Sequence, residues 1–488
     1  MNNLPEFDEV HIVSDLHMGG KPGFQILRET QRLANFILRL AAQRPKGRLA
    51  LVLNGDVFDT LAEDVAGFVA VDDAPVVVQR IMDDASFAAI WDAMATFVKT
   101  SGRTLVFVIG NHDIEIAFPT VQRLLRSRLA GDDLTARARI EFSTAGAGYT
   151  CLVGGARIYC IHGNEVDGWN YNRYEDLAKV SRRLNAGLSL TQDEWKPNAG
   201  TRMVKQVMNT VKARYAWIDL LKPETSAAVG TLLVLDPSQA KKINELFGIV
   251  GERKRGDAEV DARLSAEGFD EPAPQAVPVM MTLEQMIGPN LKREIGQHDD
   301  DMLLAAEKNL DKPRQAGAQP DATLGTTQLV VDRLTGWLRG ISTAEALRRA
   351  LRDWLDKDKT FQPDDRDDTF KQVTASVGPA IDFIVTGHTH LERAIDMGQR
   401  RYYFNCGTWI RLLQFTPEML ASEESFAEVY KVLADGRMKA IDEAPGFVMD
   451  QTSAVSISND DGHVTGSLVH VEGDGSGAPR VVKSFARS

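Results

Sequence analysis

The chain has 488 residues, 43% hydrophobic and 25% charged, a balance that excludes a mainly disordered protein and leaves ample length for a sizeable core. Lys and Arg number 56 against 68 Asp and Glu, a net charge of −12, which disfavours a protein that holds nucleic acid or an anionic membrane through its overall field. Cys151, Cys160 and Cys406 form no CxxC pair, so neither a disulfide framework nor a thiolate zinc site is indicated and a reducing compartment is expected.

The opening MNNLPEFDEV has neither the basic stretch nor the apolar run of a secretory signal, and no run of about 18 apolar residues follows, so a cytoplasmic location is expected. A β-branched run at Val10–Val13 predicts the first strand. Ile26, Leu33, Phe36, Ile37 and Leu40 then recur at helical spacing until Pro45 and Gly47 break the pattern. Leu49–Leu53 is the next strand. Phe87, Ile90, Met94, Phe97 and Val98 mark a second helix that stops at Gly102, before the buried-type strand Leu105–Ile109. This βαβαβ order favours a parallel sheet covered by helices.

Residues 148–162 predict a hairpin turning at Gly154–Gly155, and Asp435–Gly436 and Asp461–Gly462 carry similar turn signals. Roughly the last 100 residues are therefore expected to be mostly strand and turn. From 168 to 375 the signals are helical. Met203, Val204, Val207, Met208 and Val211 form a stripe ended by Lys222–Pro223, and Ser342 with Glu345 suggests a capping box ahead of Leu347, Leu351, Trp354 and Leu355. GDAEVDARLSAEGFDEPAPQAVP and KPRQAGAQPDATLGTT predict long polar loops. The expected division is one α/β domain formed by 1–167 and 376–488, with 168–375 as a helical insertion or cap.

Five short segments carry the chemistry: Asp15-Leu-His17, Asn54-Gly-Asp56-Val-Phe-Asp59, Gly110-Asn-His-Asp113, His162-Gly-Asn164 and Gly387-His-Thr-His390. Each follows a predicted strand, and ligands bind beyond the carboxyl ends of parallel strands, where the connecting loops diverge. Residues two apart in extended backbone point the same way, so Asp15 with His17, and His388 with His390, are expected to aim pairs of ligands at one region. Carboxylates, imidazoles and an amide without thiolate suit Mn²⁺, Fe or Zn²⁺ better than Ca²⁺. The donors exceed the needs of one four-coordinate ion, so two metals are expected. Five of the nine histidines lie in these segments.

In order, the segments resemble the calcineurin-like metallophosphoesterase family, whose pattern runs DxH, GDxxD, GNH[DE], a later His, and GHxH. The resemblance implies a metallophosphoesterase-type β-sandwich flanked by helices, here with the large α-helical insertion between the fourth and fifth segments. It implies that Asp15, His17 and His390 bind one divalent metal, that Asn111, His162 and His388 bind the other, and that Asp56 bridges them. His112 resembles the family's general acid and Asp59 the carboxylate that orients it. The implied reaction is cleavage of a phosphoester, phosphodiester or pyrophosphate bond by a metal-bridging hydroxide, with Mn²⁺ as the leading metal. Asn405-Cys-Gly-Thr408 looks like the family's turn after GHxH.

SDLHMGG and GDVFD look similar to the UDP-diacylglucosamine pyrophosphatases, a shorter subgroup that typically has Arg where this chain has His112. The expected partner is a phosphate-containing small molecule. A Mn²⁺-dependent nuclease or nucleotide phosphodiesterase is the alternative, with Lys205 to Arg214 and Arg253-Lys-Arg255 contacting the backbone of DNA or RNA. A non-catalytic scaffold is the third reading, and it is disfavoured because no ligand or acid is missing. His298 reads as a solvated histidine. Trp169, Tyr171, Arg173 and Tyr174 are open between clamping a substrate and packing the insertion.

Overall fold

The computed structural model of the protein describes residues 4–65, 67–188, 190, 195–222, 231, 235, 342–355 and 360–487. Its strands, in chain order, are β1 (Glu6–Phe7), β2 (Glu9–Val13), β3 (Leu49–Asn54), β4 (Arg103–Val108), β5 (Ile140–Ser143), β6 (Tyr149–Val153), β7 (Ala156–Cys160), β8 (Phe383–Thr386), β9 (Glu392–Gly398), β10 (Arg401–Cys406), β11 (Arg411–Leu413), β12 (Val448–Asp450), β13 (Ser453–Asp460), β14 (His463–Val471) and β15 (Pro479–Arg487). One sheet of seven strands has the order β15, β14, β13, β2, β3, β4, β5; a second, of six, has the order β1, β6, β7, β8, β10, β9.

Side chains alternate across a strand with a period of two, and the seven-stranded sheet uses both faces. Val10, Ile12, Val52 and Val106 meet Cys160, Phe383, Val385 and Phe404 of the other sheet in one buried cluster. Their neighbours Val13, Leu51, Leu53, Leu105 and Phe107 turn the other way. They pack with the helices Thr30–Ala42, Ala74–Asp83, Ala88–Lys99 and Pro119–Ala130. The result is a β-sandwich flanked by helices, in which β2, β3 and β4 pair in parallel as the βαβαβ pattern requires. The first helix starts at Thr30, so Ile26 lies ahead of it.

Gly154–Gly155 joins β6 to β7 and Asp461–Gly462 joins β13 to β14, each as a two-residue turn with both φ angles positive. Asp435–Gly436 makes no hairpin. Gly436, at φ 79°, ends the helix Glu423–Asp435, and a further helix, Met438–Glu443, follows. A left-handed glycine serves a helix C-terminus as readily as a hairpin, and Phe426, Val429 and Leu433 at helical spacing decide between them. The C-terminal stretch therefore holds more helix than its turn signals suggest.

Within 168–375 the described residues include the helices Tyr174–Asn185, Ala199–Met203, Asn209–Lys212, Thr343–Leu355 and Asp368–Ala375, with a π-helical turn over Val204–Met208. Val207, Val211, Leu347 and Leu351 share a buried cluster with Leu412, Phe426 and Leu433. The Ser342 hydroxyl accepts from the Glu345 amide at 3.1 Å, but the Glu345 carboxylate turns to Arg348 and Arg349, so only half of the capping box forms. The side chains of Trp354 and Leu355 lie outside the described residues, as do Pro223, Arg253-Lys-Arg255, His298 and the two polar stretches. Beyond them β8 enters the six-stranded sheet between β7 and β10. Among the described residues no helix is long and apolar enough to cross a membrane.

Candidate metal and catalytic site

The five polar segments follow β2, β3, β4, β7 and β8, at the carboxyl ends of parallel neighbours in both sheets. Cross-links hold these ends together. The Asn54 amide donates to the Ile161 carbonyl at 3.0 Å, tying the end of β3 to the loop after β7, and the Asp15 backbone N–H donates to the Gly55 carbonyl at 3.1 Å. Two glycines permit the close approach. A Cβ on Gly55, whose φ is 89°, would lie 2.3 Å from His162 Nδ1, and a Cβ on Gly110 would lie 2.1 Å from Asp56 Oδ1.

The extended backbone expected at Asp15, His17, His388 and His390 is not found. Their φ angles are 57°, 47°, 70° and 60°, and Asp56 has 53°. Left-handed backbone costs an L-residue roughly 1–2 kcal/mol and persists where surrounding bonds over-determine it. Here the His17 N–H donates to the Asp56 carbonyl at 2.9 Å and the His388 N–H to Asp15 Oδ2 at 3.0 Å. The Thr408 hydroxyl donates to the Asp15 carbonyl at 2.9 Å, and the Asn405 amide to the Gly387 carbonyl at 2.7 Å. The Asn405-Cys-Gly-Thr408 turn thus braces two of the five segments. Convergence of the side chains comes from these kinks rather than from strand pleating.

Two groups of potential metal ligands result, Asp15 with His17 and His390, all buried, and Asp56 with His162 and a half-buried His388. In the first, His17 Nε2 lies 3.0 Å from His390 Nε2, and His390 Nε2 lies 3.3 Å from Asp15 Oδ1. In the second, Asp56 Oδ2 lies 3.2 Å from His162 Nε2 and also 3.7 Å from His17 Nε2, which places it between the groups. Asp15 Oδ1, His17 Nδ1, Asn111 Oδ1 and His162 Nε2 are buried without a hydrogen-bond partner. Natural proteins rarely leave buried polar atoms so, and a cluster of unsatisfied acceptors suits cations. His162 Nδ1 is 2.8 Å from the Asn54 carbonyl, so it acts as the donor there and Nε2 faces the group.

The charges of the site act strongly on one another: burial opposes the charged form of His162, but Asp56 raises it to about 10. Burial alone would raise the carboxyl of Asp56, yet His162 and His112 hold it well below the usual range. Burial and then the neighbouring His112 push His17 down to about 3, keeping that imidazole neutral as a ligand must be. The His112 side chain is 20% exposed at the edge of the site, with Nδ1 3.0 Å from Asp59 Oδ1. Burial opposes its charged form, but Asp56 and Asp59 overcome that and raise it to about 9. His17, Asp59 and His112 also form a third, overlapping ligand group.

Asp167 and Glu115 escaped the sequence reading, and Asp113, part of the third segment, has a role the sequence did not assign. Asp167 Oδ2 lies 2.8 Å from His388 Nε2 and accepts from the Asn170 amide at 2.7 Å, while Asn170 Oδ1 accepts from the Asn111 amide at 3.5 Å. Asp167 thus links two of the expected ligands, and its sequence signal is only an acid five residues after His162. Asp113 accepts from the backbone N–H groups of Gly110 and Val57, locking the loops that carry Asn111 and Asp56 together. Glu115 accepts from the Thr60 hydroxyl beside Asp59. Tyr171 and Tyr174 are buried in the helix-covered core, and the Arg173 guanidinium donates to the Lys196 carbonyl. Packing accounts for both tyrosines.

A comparison with protein-family models matches residues 9–216 to the calcineurin-like phosphoesterases. No curated protein matches the chain.

Proposed function

We propose that this calcineurin-like phosphoesterase, a hydrolase acting on phosphoric ester bonds, is a two-metal enzyme. In this reading Asp15, His17 and His390 hold one divalent cation, Asn111, His162 and His388 the other, and Asp56 lies between. The observation that carries it is the two ligand groups meeting at Asp56, with the Asn111 amide oxygen buried and without a hydrogen-bond partner. A donor set of oxygen and nitrogen without thiolate favours Mn²⁺, with Fe and Zn²⁺ as the alternatives. When bound, two such cations supply positive charge to the phosphoryl oxygens and activate water.

The remaining work falls to the chain. Asp59 accepts from His112 Nδ1, which leaves the Nε2 proton of a charged imidazole for the departing oxygen. Asp59 then orients the ring and stabilises its charge before transfer. The catalytic unit comprises 1–167 and 376–488, supported by the sharing of both sheets between these stretches, with 168–375 inserted. The proposed setting is the cytoplasm, in keeping with three buried free thiols. A nuclease or nucleotide phosphodiesterase is the second reading, favoured by the cations of 202–214. The test is a Mn²⁺-supplemented screen of phosphomonoesters, phosphodiesters, nucleotide pyrophosphates and single-stranded DNA, run beside His112→Ala. Turnover of at least one class that depends on His112 is expected. An equally active His112→Ala removes the acid assignment.

A further inference from the structure

Between Trp195 and Ile218 an acidic chain carries five cations and no carboxylate. Arg202, Lys205, Asn209 and Lys212 recur there at three, four and three residues, one face of the helical run 199–212. The opposite face, with Val207 and Val211, is buried in the cluster shared with the C-terminal helices. The basic face is mounted on the loop that holds the proposed acid pair. Lys205 Nζ donates to the Glu63 carbonyl at 2.8 Å and the Asn209 amide to the Leu61 carbonyl at 3.0 Å. The same turn is held from its other side by the Thr60 backbone N–H, which donates to the His112 carbonyl at 3.2 Å.

One helical turn beyond Asn209, the Lys212 ammonium is ion-paired with Asp219, the two side chains being 15% and 21% exposed. The contacts step from Glu63 at Lys205 to Leu61 at Asn209, so the same face one turn further on brings Lys212 toward Asp59, whose carboxyl its charge helps to hold low. A cation anchored beside a general acid stands on the leaving-group side of the reaction, where a neutral alcohol would have no use for it.

Resting on the two-metal reading above, we propose that Lys212 is a specificity-determining residue that binds a second phosphate carried by the leaving alcohol. The substrate class is then a bisphosphorylated small molecule, such as a sugar or nucleoside bisphosphate, with one phosphate cleaved and the other recognised. Lys205 and Asn209 position the helix that presents Lys212, and Asp219 orients its ammonium.

The test uses the full-length Mn²⁺-loaded protein with adenosine 3′,5′-bisphosphate against the 3′- and 5′-monophosphates, followed by both equilibrium binding and turnover. The wild type should prefer the bisphosphate, and Lys212→Met should lower that preference about tenfold, the usual scale for one charge-assisted phosphate contact. Lys212→Arg should restore most of it, Asp219→Asn, which breaks the ion pair but keeps the ammonium, should retain more of the preference than Lys212→Met, and unchanged thermal melting would show that Lys212→Met is folded. Equal affinity of the wild type for bisphosphate and monophosphates overturns the inference, as does a preference indifferent to Lys212. Tighter Lys212-dependent binding of a single-stranded oligonucleotide than of the bisphosphate also overturns it. A Lys212-dependent binding preference without any hydrolysis supports the phosphate subsite and refutes the catalytic reading on which it rests.

Discussion

Gly110→Ala isolates what close packing contributes to the site. Gly110 has no positive φ, so alanine adds one methyl group without backbone strain. That methyl would lie 2.1 Å from Asp56 Oδ1 and 2.4 Å from the Asp56 backbone nitrogen, where real Cβ contacts essentially never fall below 3.0 Å. The carboxylate must therefore retreat by about 0.9 Å and the backbone by about 0.6 Å. Asp56 Oδ1 also receives the His112 N–H at 2.8 Å, so the shift reaches the proposed acid as well as the residue between the ligand groups. A displacement near 1 Å in a catalytic constellation costs on the order of 100-fold in rate. Overpacking a buried site costs about 1–3 kcal/mol of stability. The assays are kcat/KM on a substrate from the screen, Mn²⁺ binding by calorimetry, and thermal melting. Wild-type activity and metal affinity in Gly110→Ala would refute the argument that Asp56 is held by contact with residue 110.

His112→Ala should retain both metals by elemental analysis while losing roughly 100- to 10,000-fold in turnover of unactivated esters, the usual contribution of general acid catalysis. A much smaller loss on esters with good leaving groups is expected, and an equal loss on both would contradict the acid role. Asp56→Asn should lower the occupancy of both metals together, and loss of one alone would show that Asp56 serves a single ion. Asp167→Ala removes the acceptor at His388 and should weaken Mn²⁺ binding at the group that holds His388 by about 10- to 100-fold. Unaltered Mn²⁺ titration would leave Asp167 a loop brace only. Prolonged chelation should abolish turnover, and added Mn²⁺ should restore it; activity that survives complete removal of metal would sink the two-metal reading.

How much could be read in advance depended on whether the signal was local. β2, β3 and β4 were legible because a strand buried on both faces is a short apolar run bounded by polar residues. Gly154–Gly155 and Asp461–Gly462 were legible because two-residue hairpins demand positive φ at both positions. The same chemistry misled at Gly436, where helix termination and hairpin turning ask for one glycine conformation and the packing of Phe426 and Leu433 makes the choice. Asp167 was missed because an acid after a turn has many bland uses, and only its 2.8 Å approach to His388, 221 positions away, gives it a particular one.

The sequence by itself determined the inventory of the site: which residue types are present, their order, and their position after successive strands. These follow from composition and from backbone periods that act over a few residues. The tertiary structure decided how the inventory is aimed. Left-handed kinks at Asp15, His17, Asp56, His388 and His390 replace the extended backbone that spacing suggested, because bonds from Gly55, Asp56, Asn405 and Thr408 hold them there. Tertiary packing also set Lys205 and Asn209, from a basic run in an acidic chain, against the loop that follows Asp59. Such placements depend on contacts between residues tens to hundreds of positions apart, whose energies no short window of sequence contains.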